Sequence, residues 1–258
     1  MSNKKENKIS GVPFQEGDYV LIVHNEKRFL RRLHEKMVLN VKKDVIKFEN
    51  IVGKKEGEKV GNFYLFRPTI EDIIFLGFKR KTQIIYPKDS FFIAFKLNIK
   101  KEDKVLEIGT GSGALTAVLS RLAKKVYTFE ISKQFYKLAL KNWKKFDLCK
   151  NVKAINADFQ KVKLKKDFFD ACFVDVKEPW LYLKKIWQSL KPGKVCGFLF
   201  PTVNQVCKLL SEMGSLFTDI EVFEILIRYY KPNPERLRPK DRMIAHTGYL
   251  VFCKKKIE

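Results

Sequence analysis

Paired cysteines, clustered histidines and long apolar runs are scarce in this 258-residue chain. Each absence removes a class of protein. The five cysteines, Cys149, Cys172, Cys196, Cys207 and Cys253, include no Cys-x-x-Cys pair, and several sit inside apolar runs. They read as buried free thiols of a reducing, cytoplasmic compartment rather than as a disulfide framework. The three histidines, His24, His34 and His246, are scattered, so no metal site is expected. No stretch approaches the roughly eighteen consecutive apolar residues that a membrane-spanning helix needs. The opening MSNKKENKISG has no apolar segment of the secretory-leader kind. Acidic residues are also few: 29 Asp and Glu face 52 Lys and Arg, a formal net charge of +23. A merely solvated Lys/Glu surface would sit nearer balance. The excess points to a polyanionic partner, attracted at long range and bound with counterion release.

With 45% hydrophobic residues, the chain can build one substantial core and a smaller module. From Gly17 to about Arg67 the runs YVLIV, KMVLNV, DVIKFENIVG and NFYLFRP are separated by charged or glycine-containing turns. This pattern predicts a small β-rich N-terminal domain, residues 1–75. Its basic pairs, Lys27-Arg28 and Arg31-Arg32, suit RNA contact, whereas its apolar runs suit plain packing or oligomerisation. A linking segment follows, with Asp89 and Ser90 as N-cap types for a helix reaching about Leu97. After Lys101, strand-like runs alternate with helix-like runs. That rhythm predicts an α/β domain, residues 76–258, with a Rossmann-like parallel sheet covered by helices on both faces. The closing runs IEVFEILIRYY and HTGYLVFCK have no helix between them, which predicts an antiparallel hairpin at one sheet edge.

The most informative stretch is VLEIGTGSGALT. Gly109, Gly111 and Gly113 alternate with Thr110 and Ser112 at the end of a strand, and Ala114 and Leu115 open the next helix. Such a loop lets a ligand approach the backbone. The spacing is G-x-G-x-G, not the dinucleotide G-x-G-x-x-G. Glu107 precedes the loop, where a carboxylate would repel a pyrophosphate but suit a sulfonium or ammonium ligand. S-adenosylmethionine (SAM) is therefore expected over a nicotinamide cofactor. Glu130 closes the next strand, where a carboxylate can accept hydrogen bonds from both ribose hydroxyls. Asp158 follows the third strand within reach of an adenine amino group, and Asp175 closes the fourth in DACFVDVKEPW. In open α/β sheets, ligands bind outside the carboxyl ends of the strands.

Asp175 has two readings. Asp and Pro favour helix starts, but Pro179 lies too far along for Asp175 to be a simple cap. Methyl transfer offers the other role. An adenine ring nitrogen already has a free lone pair, so positioning matters more than a strong base. A carboxylate that accepts a hydrogen bond from the exocyclic amino group would orient the ring and stabilise the developing positive charge. The base would have to leave its stack to reach it. Tyr86 and Trp180 are candidate pocket walls, and core packing is an equal reading for Trp180.

RKTQIIYPKD, VLEIGTGSGALT, DVKEPW and RMIAHTGYLVF together resemble the tRNA (adenine-58, N1)-methyltransferase family, over about Arg80 to Phe252. The glycine loop is shared by most class I SAM methyltransferases, and the other three motifs are more specific. The resemblance implies methylation of a T-loop adenine of tRNA, a homotetramer, Asp175 as the catalytic carboxylate and Tyr86 as an active-site tyrosine. It further implies that Gln83, the Gly109–Leu115 loop, Glu130 and Asp158 line the SAM site, and Glu107 and Asp175 are expected among the cofactor-binding carboxylates as well. Lys177 stands where many relatives carry proline, a departure confined to the turn. His246 falls in the C-terminal motif, facing RNA or serving as a structural strand residue. Two alternatives stay open: a non-catalytic tRNA-binding subunit on the same fold, and a methyltransferase for another acceptor.

Overall fold

The computed structural model describes residues 11–81 and 83–257. The polar stretch through Ser10, Thr82 and Glu258 lie outside the described residues. The chain divides into two compact units, one ending at Phe78 and the other beginning at Lys79.

The first unit is built from hairpins. Strands β1 (Tyr19–His24) and β2 (Lys27–Arg32) pair antiparallel through a two-residue turn. Asn25 takes φ 52° there, a left-handed conformation that asparagine tolerates better than most residues. Strands β3 (Val38–Val41) and β4 (Asp44–Lys47) form a second hairpin. Strands β5 (Lys59–Val60) and β6 (Phe63–Phe66) complete a four-stranded sheet of order β2-β1-β6-β5. Alternate side chains close one core that includes Phe14, Val20, Ile22, Leu39, Ile46, Phe63 and Leu65. The edge strands β2 and β5 carry little of the alternation that predicts strands; only Leu30 of β2 is buried. Helix α1 (Ile70–Asp72) runs into a π-helical turn over Ile73–Gly77. Thr69 and Asp72 form its capping box, and the buried Asp72 carboxylate also receives the Arg28 guanidinium from β2.

The second unit contains α2 (Pro87–Lys96), β7 (Lys104–Ile108), α3 (Ala114–Leu119), β8 (Lys125–Glu130), α4 (Lys133–Lys145), β9 (Val152–Asn156) and β10 (Phe169–Val174). It continues through α5 (Leu183–Ser189), β11 (Leu190–Phe200), α6 (Val203–Met213) and β12 (Phe217–Phe223). The short pair β13 (Tyr230–Lys231) and β14 (Arg238–Pro239) and the final strand β15 (Tyr249–Lys255) close it. The seven-stranded sheet has the order β12-β15-β11-β10-β7-β8-β9. Its pairs are parallel from β11 to β9, and β15 is antiparallel to both neighbours. β10, FDACFV, is buried at every position, as a strand covered on both faces must be. One face packs Leu106, Cys172, Val174 and Phe198 against Leu183 and Ile186 of α5 and Val206 and Leu209 of α6.

The class I methyltransferase architecture expected from the sequence is therefore present, with two local differences. α2 starts at Pro87 directly after Tyr86, so Asp89 and Ser90 lie in its first turn rather than at its cap. Proline suits that first position because its missing N–H has no helical partner there. Asp89 instead accepts from Lys88 Nζ (2.7 Å), which also donates to Ile225 O (2.7 Å) and Thr247 Oγ1 (2.6 Å). The run IEVFEILIRYY does not form one strand: β12 stops at Phe223, opposite Leu250, and β15 begins at Tyr249, so it supplies no partner beyond Glu224. Among the described residues no helix is long and apolar enough to cross a membrane.

Candidate active site

The carboxyl ends of β7, β8 and β10 meet at a cavity of about 470 Å³. Its wall includes Gln83, Gly109, Gly111, Phe129, Glu130, Ile131, Phe135, Phe159, Asp175, Leu181 and Tyr182. Carboxylates and backbone of the glycine loop thus face a set of aromatic and aliphatic side chains. This is the mixture a nucleoside-bearing ligand requires.

The glycine loop is tight for specific reasons. A Cβ on Gly109, whose φ is +97°, would lie 2.1 Å from the backbone oxygen of Asp175; one on Gly113, at φ +81°, would lie 2.3 Å from Trp143 Nε1. Without a side chain at Gly109 the β7 and β10 rims can approach this closely, and without one at Gly113 the loop can seat against α4. Trp143 Nε1 donates to Gly113 O (3.0 Å), and Asn142 Nδ2 donates to Ser112 O and Lys79 O (both 3.0 Å). α4 therefore holds the loop from behind. On the open side, a Cβ at Gly111 would meet no atom within 4 Å.

Glu130 organises the front. Its Oε2 accepts from Gly111 N (2.9 Å) and its Oε1 from Ser132 N (2.8 Å). Each carboxylate oxygen retains a further lone pair for a ligand hydroxyl. Asp175 closes β10 beside Gly109, and its N–H donates to Ile108 O (2.8 Å). The turn after it leads to a 3-10 turn, Pro179–Tyr182, whose cap position is Glu178, so Asp175 is not a helix cap. Its carboxyl is pushed up to about 6, first by the protein packed around it and then by the Glu130 charge. It remains exposed to water through the cavity mouth. A ligand that displaces that water strengthens the upward push.

Glu107 lies behind the wall, 1% exposed. Its Oε2 accepts from Thr116 Oγ1 (2.6 Å), and its Oε1 is the one buried side-chain oxygen or nitrogen among the described residues without a hydrogen-bond partner. Burial pushes this carboxyl up to about 7; the Thr116 and Thr128 hydroxyls pull it down, and the Asp175 and Glu130 charges push it further up. A raised folded-state value means that the folded chain holds a proton which the unfolded chain releases above its ordinary value of 4.5. Stability contributed by that proton is present at low pH and lost as pH rises through about 7. Glu107→Gln is therefore expected to raise the melting temperature at pH 8, removing a penalty on the order of 3 kcal/mol, and to change little at pH 4. Thermal unfolding at the two pH values checks this; equal shifts at both would contradict it.

The other expected residues divide plainly. Gln83, Gly109, Gly111, Glu130 and Asp175 are on the wall. Thr110, Ser112, Gly113, Ala114 and Leu115 are buried in the loop and helix behind it, and Thr110 Oγ1 lies 2.6 Å from Thr128 Oγ1. Asp158 is off the wall. It caps the 3-10 turn Phe159–Lys161 by accepting from Gln160 N (3.0 Å), while its neighbours Ala157 and Phe159 line the cavity. Tyr86, half-buried, stands at the cap position of α2, also off the wall. Trp180, half-buried, packs against the main core and is off the cavity wall. His246 lies between two acceptors, with Nδ1 2.5 Å from Glu224 Oε1 and Nε2 3.0 Å from Pro201 O. Both nitrogens must carry hydrogens to satisfy them, and its pKa is raised first by the Glu224 bond. It braces the segment before β15. Ile131, Phe135, Phe159, Leu181 and Tyr182 were not foreseen; position directly after a strand-end acid would have marked Ile131 and Phe159.

Residues 61–247 match the family described as tRNA methyltransferase complex GCD14 subunit. The chain belongs to this family. Among curated relatives, the tRNA (adenine(57)-N(1)/adenine(58)-N(1))-methyltransferase TrmI of Methanocaldococcus jannaschii is 31% identical over 229 residues, covering 77% of this chain and 80% of its own. The solved structure of the tRNA (m1A58) methyltransferase TrmI from Aquifex aeolicus is 57% identical, with a TM-score of 0.92 over 95% of this chain and 100% of its own. A solved Thermotoga maritima protein described as a SAM-dependent O-methyltransferase is 38% identical, with a TM-score of 0.87 and 95% coverage of both chains. Among the described residues, no group of three His, Cys, Asp or Glu side chains is placed to hold a metal ion.

Proposed function

We propose that this protein transfers a methyl group from SAM to N1 of adenine 58 in the T-loop of tRNA. The observation that carries the reading is Asp175 on the cavity wall, 2.1 Å in backbone terms from where a Gly109 side chain would stand. An acceptor for a base thus sits against the loop expected to hold the donor. The residues fit SAM: an unpartnered Glu107 oxygen beneath the loop, a Gly111 face clear of protein atoms, and Glu130 beside the exposed, apolar Ile131. SAM supplies an electrophilic sulfonium methyl when bound.

Glu130 takes the ribose hydroxyls, and Ile131, Phe159 and Leu181 enclose the cofactor's adenine. Gln83 and Tyr86, on the segment entering α2, flank the target base. The Asp175 carboxylate accepts a hydrogen bond from its exocyclic amino group. That bond orients N1 and stabilises the positive charge that the methylated ring acquires. The tRNA partner accounts for the net charge of +23. A cytoplasmic homotetramer is the working form in this reading.

Incubation with unmodified tRNA and labelled SAM, followed by mapping of the modified nucleoside, tests the proposal. N1-methyladenosine at position 58 is expected, and methylation at 57 as well would extend the specificity. The Michaelis constant for tRNA is expected to rise steeply with salt, by roughly 0.7 to 0.9 log units per log unit of salt for each phosphate contacted. A salt-independent constant, or label on another acceptor, would rule out the reading.

A further inference from the structure

A second cavity, about 540 Å³, adjoins the first across Leu181, which lines both. One wall is a single face of the helical segment Leu181, Lys184, Lys185 and Gln188, at the i, i+3, i+4, i+7 spacing that aligns side chains. The opposite wall is Lys163 and Leu164, from the segment before β10. No carboxylate lines it. Lys185 is engaged: its Nζ donates to Phe159 O (2.6 Å) and Gln160 O (2.7 Å), holding the turn that forms part of the first cavity's wall. The exposed side chains of Lys163 and Lys184 make no ion pair or hydrogen bond within the described residues.

Lysine ammonium groups on a convex surface repel one another and point apart into water. Here two unpaired ones face a shared concave space with a third fixed at its base, so their fields add. Such a recess attracts an anion with several oxygens. We infer that this lysine-lined cleft beside the cofactor cavity seats phosphodiester groups of the tRNA substrate. The inference rests on the tRNA reading above and deepens it, because it gives a track for the backbone that adjoins the reaction cavity. A polyanion fits the occupant better than a free phosphate does, because the cleft is open and the chain as a whole carries +23.

The test uses the full chain with Lys163→Glu and Lys184→Glu combined, leaving Lys185 in place. Lys137→Glu with Lys141→Glu, on α4, gives the same change of net charge elsewhere. Dissociation constants for unmodified tRNA are measured by filter binding across a salt series, SAM affinity by calorimetry, and turnover at saturating tRNA. The cleft variant is expected to bind tRNA at least about tenfold more weakly, with a salt slope shallower by roughly 1.4 to 1.8, the amount for two lost phosphate contacts. SAM affinity and saturated turnover are expected to hold. The α4 variant is expected to lose much less tRNA affinity and no slope. Equal losses in both variants, no loss in the cleft variant, or a parallel loss of SAM affinity would each overturn the cleft assignment. Saturable binding of inorganic phosphate that the cleft variant loses while its tRNA affinity holds would instead assign the recess to free phosphate and overturn the tRNA track. Wild-type chain that binds tRNA but forms no N1-methyladenosine would sink the functional reading while leaving the cleft result intact.

Discussion

Asp175→Ala is expected to lower methyl transfer to tRNA by about 100- to 1000-fold, the scale on which one preorganised electrostatic contact to a charge-developing group acts. SAM affinity is expected to stay within a few fold, because Glu130 and the loop backbone, not Asp175, take the ribose and the glycine-side contacts. Asp175→Asn keeps the shape and one acceptor oxygen but loses the charge, so an intermediate rate is expected. The carboxylate is the working form, and the protein packed around the cavity, with the Glu130 charge, raises its pKa to about 6. Activity therefore falls as pH drops through about 6 and levels above it, and the asparagine variant lacks that acid limb. Single-turnover kinetics paired with calorimetry separates transfer from binding. Full turnover by the alanine variant would remove Asp175 from the reaction.

Gly109→Ala is expected to be nearly as damaging for a different reason. The added methyl meets the Asp175 backbone oxygen at 2.1 Å and the Val176 side chain at 3.1 Å, at a backbone φ of +97° that L residues rarely adopt. Neither the clash nor the strain can be relieved by a side-chain rotation, since the nearest atom is backbone. The rims of β7 and β10 must part or the loop must refold. A loss of about 3 kcal/mol of stability is expected, together with loss of detectable SAM binding. Gly111→Ala makes the internal comparison: at φ +54° it sits in the left-handed region that an L residue can occupy at modest cost, and its methyl would meet no protein atom within 4 Å. Its stability loss is expected to be smaller, on the order of 1 kcal/mol. Chemical denaturation of the two variants distinguishes them, and equal losses would show that neither the clash against the Asp175 backbone nor the φ of +97° adds to the cost.

The central sheet was legible because burial writes itself plainly into parallel strands. FDACFV in β10 and VLEI in β7 have few polar residues to misread, and the acids that end such runs mark the ligand rim. Glu130 and Asp175 could be placed on that logic alone. Asp158 is less plainly written: the same strand-end position also offers a turn cap, and one of its carboxylate oxygens accepts from Gln160 N. Glu107 was legible as an acid at the loop but not as a buried, half-partnered one, because burial of β7 depends on strands and helices distant in sequence. The apolar wall was harder still. Phe135, Leu181 and Tyr182 come from three separate elements, and each alone resembles any core residue. Strand limits at the chain's end escaped for a topological reason: the reach of β12 is set by where β15 starts, a fact no local pattern contains.

Cys172, Cys196 and Cys253 occupy matching positions on three neighbouring strands, and all are at most 1% exposed. Burial raises the Cys196 thiol well above its ordinary value, and Cys149 is pushed up to about 12. Cys207, on α6, is the exposed thiol among the described residues, and Cys149 is half-buried. Alkylating reagents thus reach Cys207 first in the native state, and the buried row of three becomes a built-in timer. The rate at which those sulfurs react reports how often the middle of the sheet opens, without any engineered label.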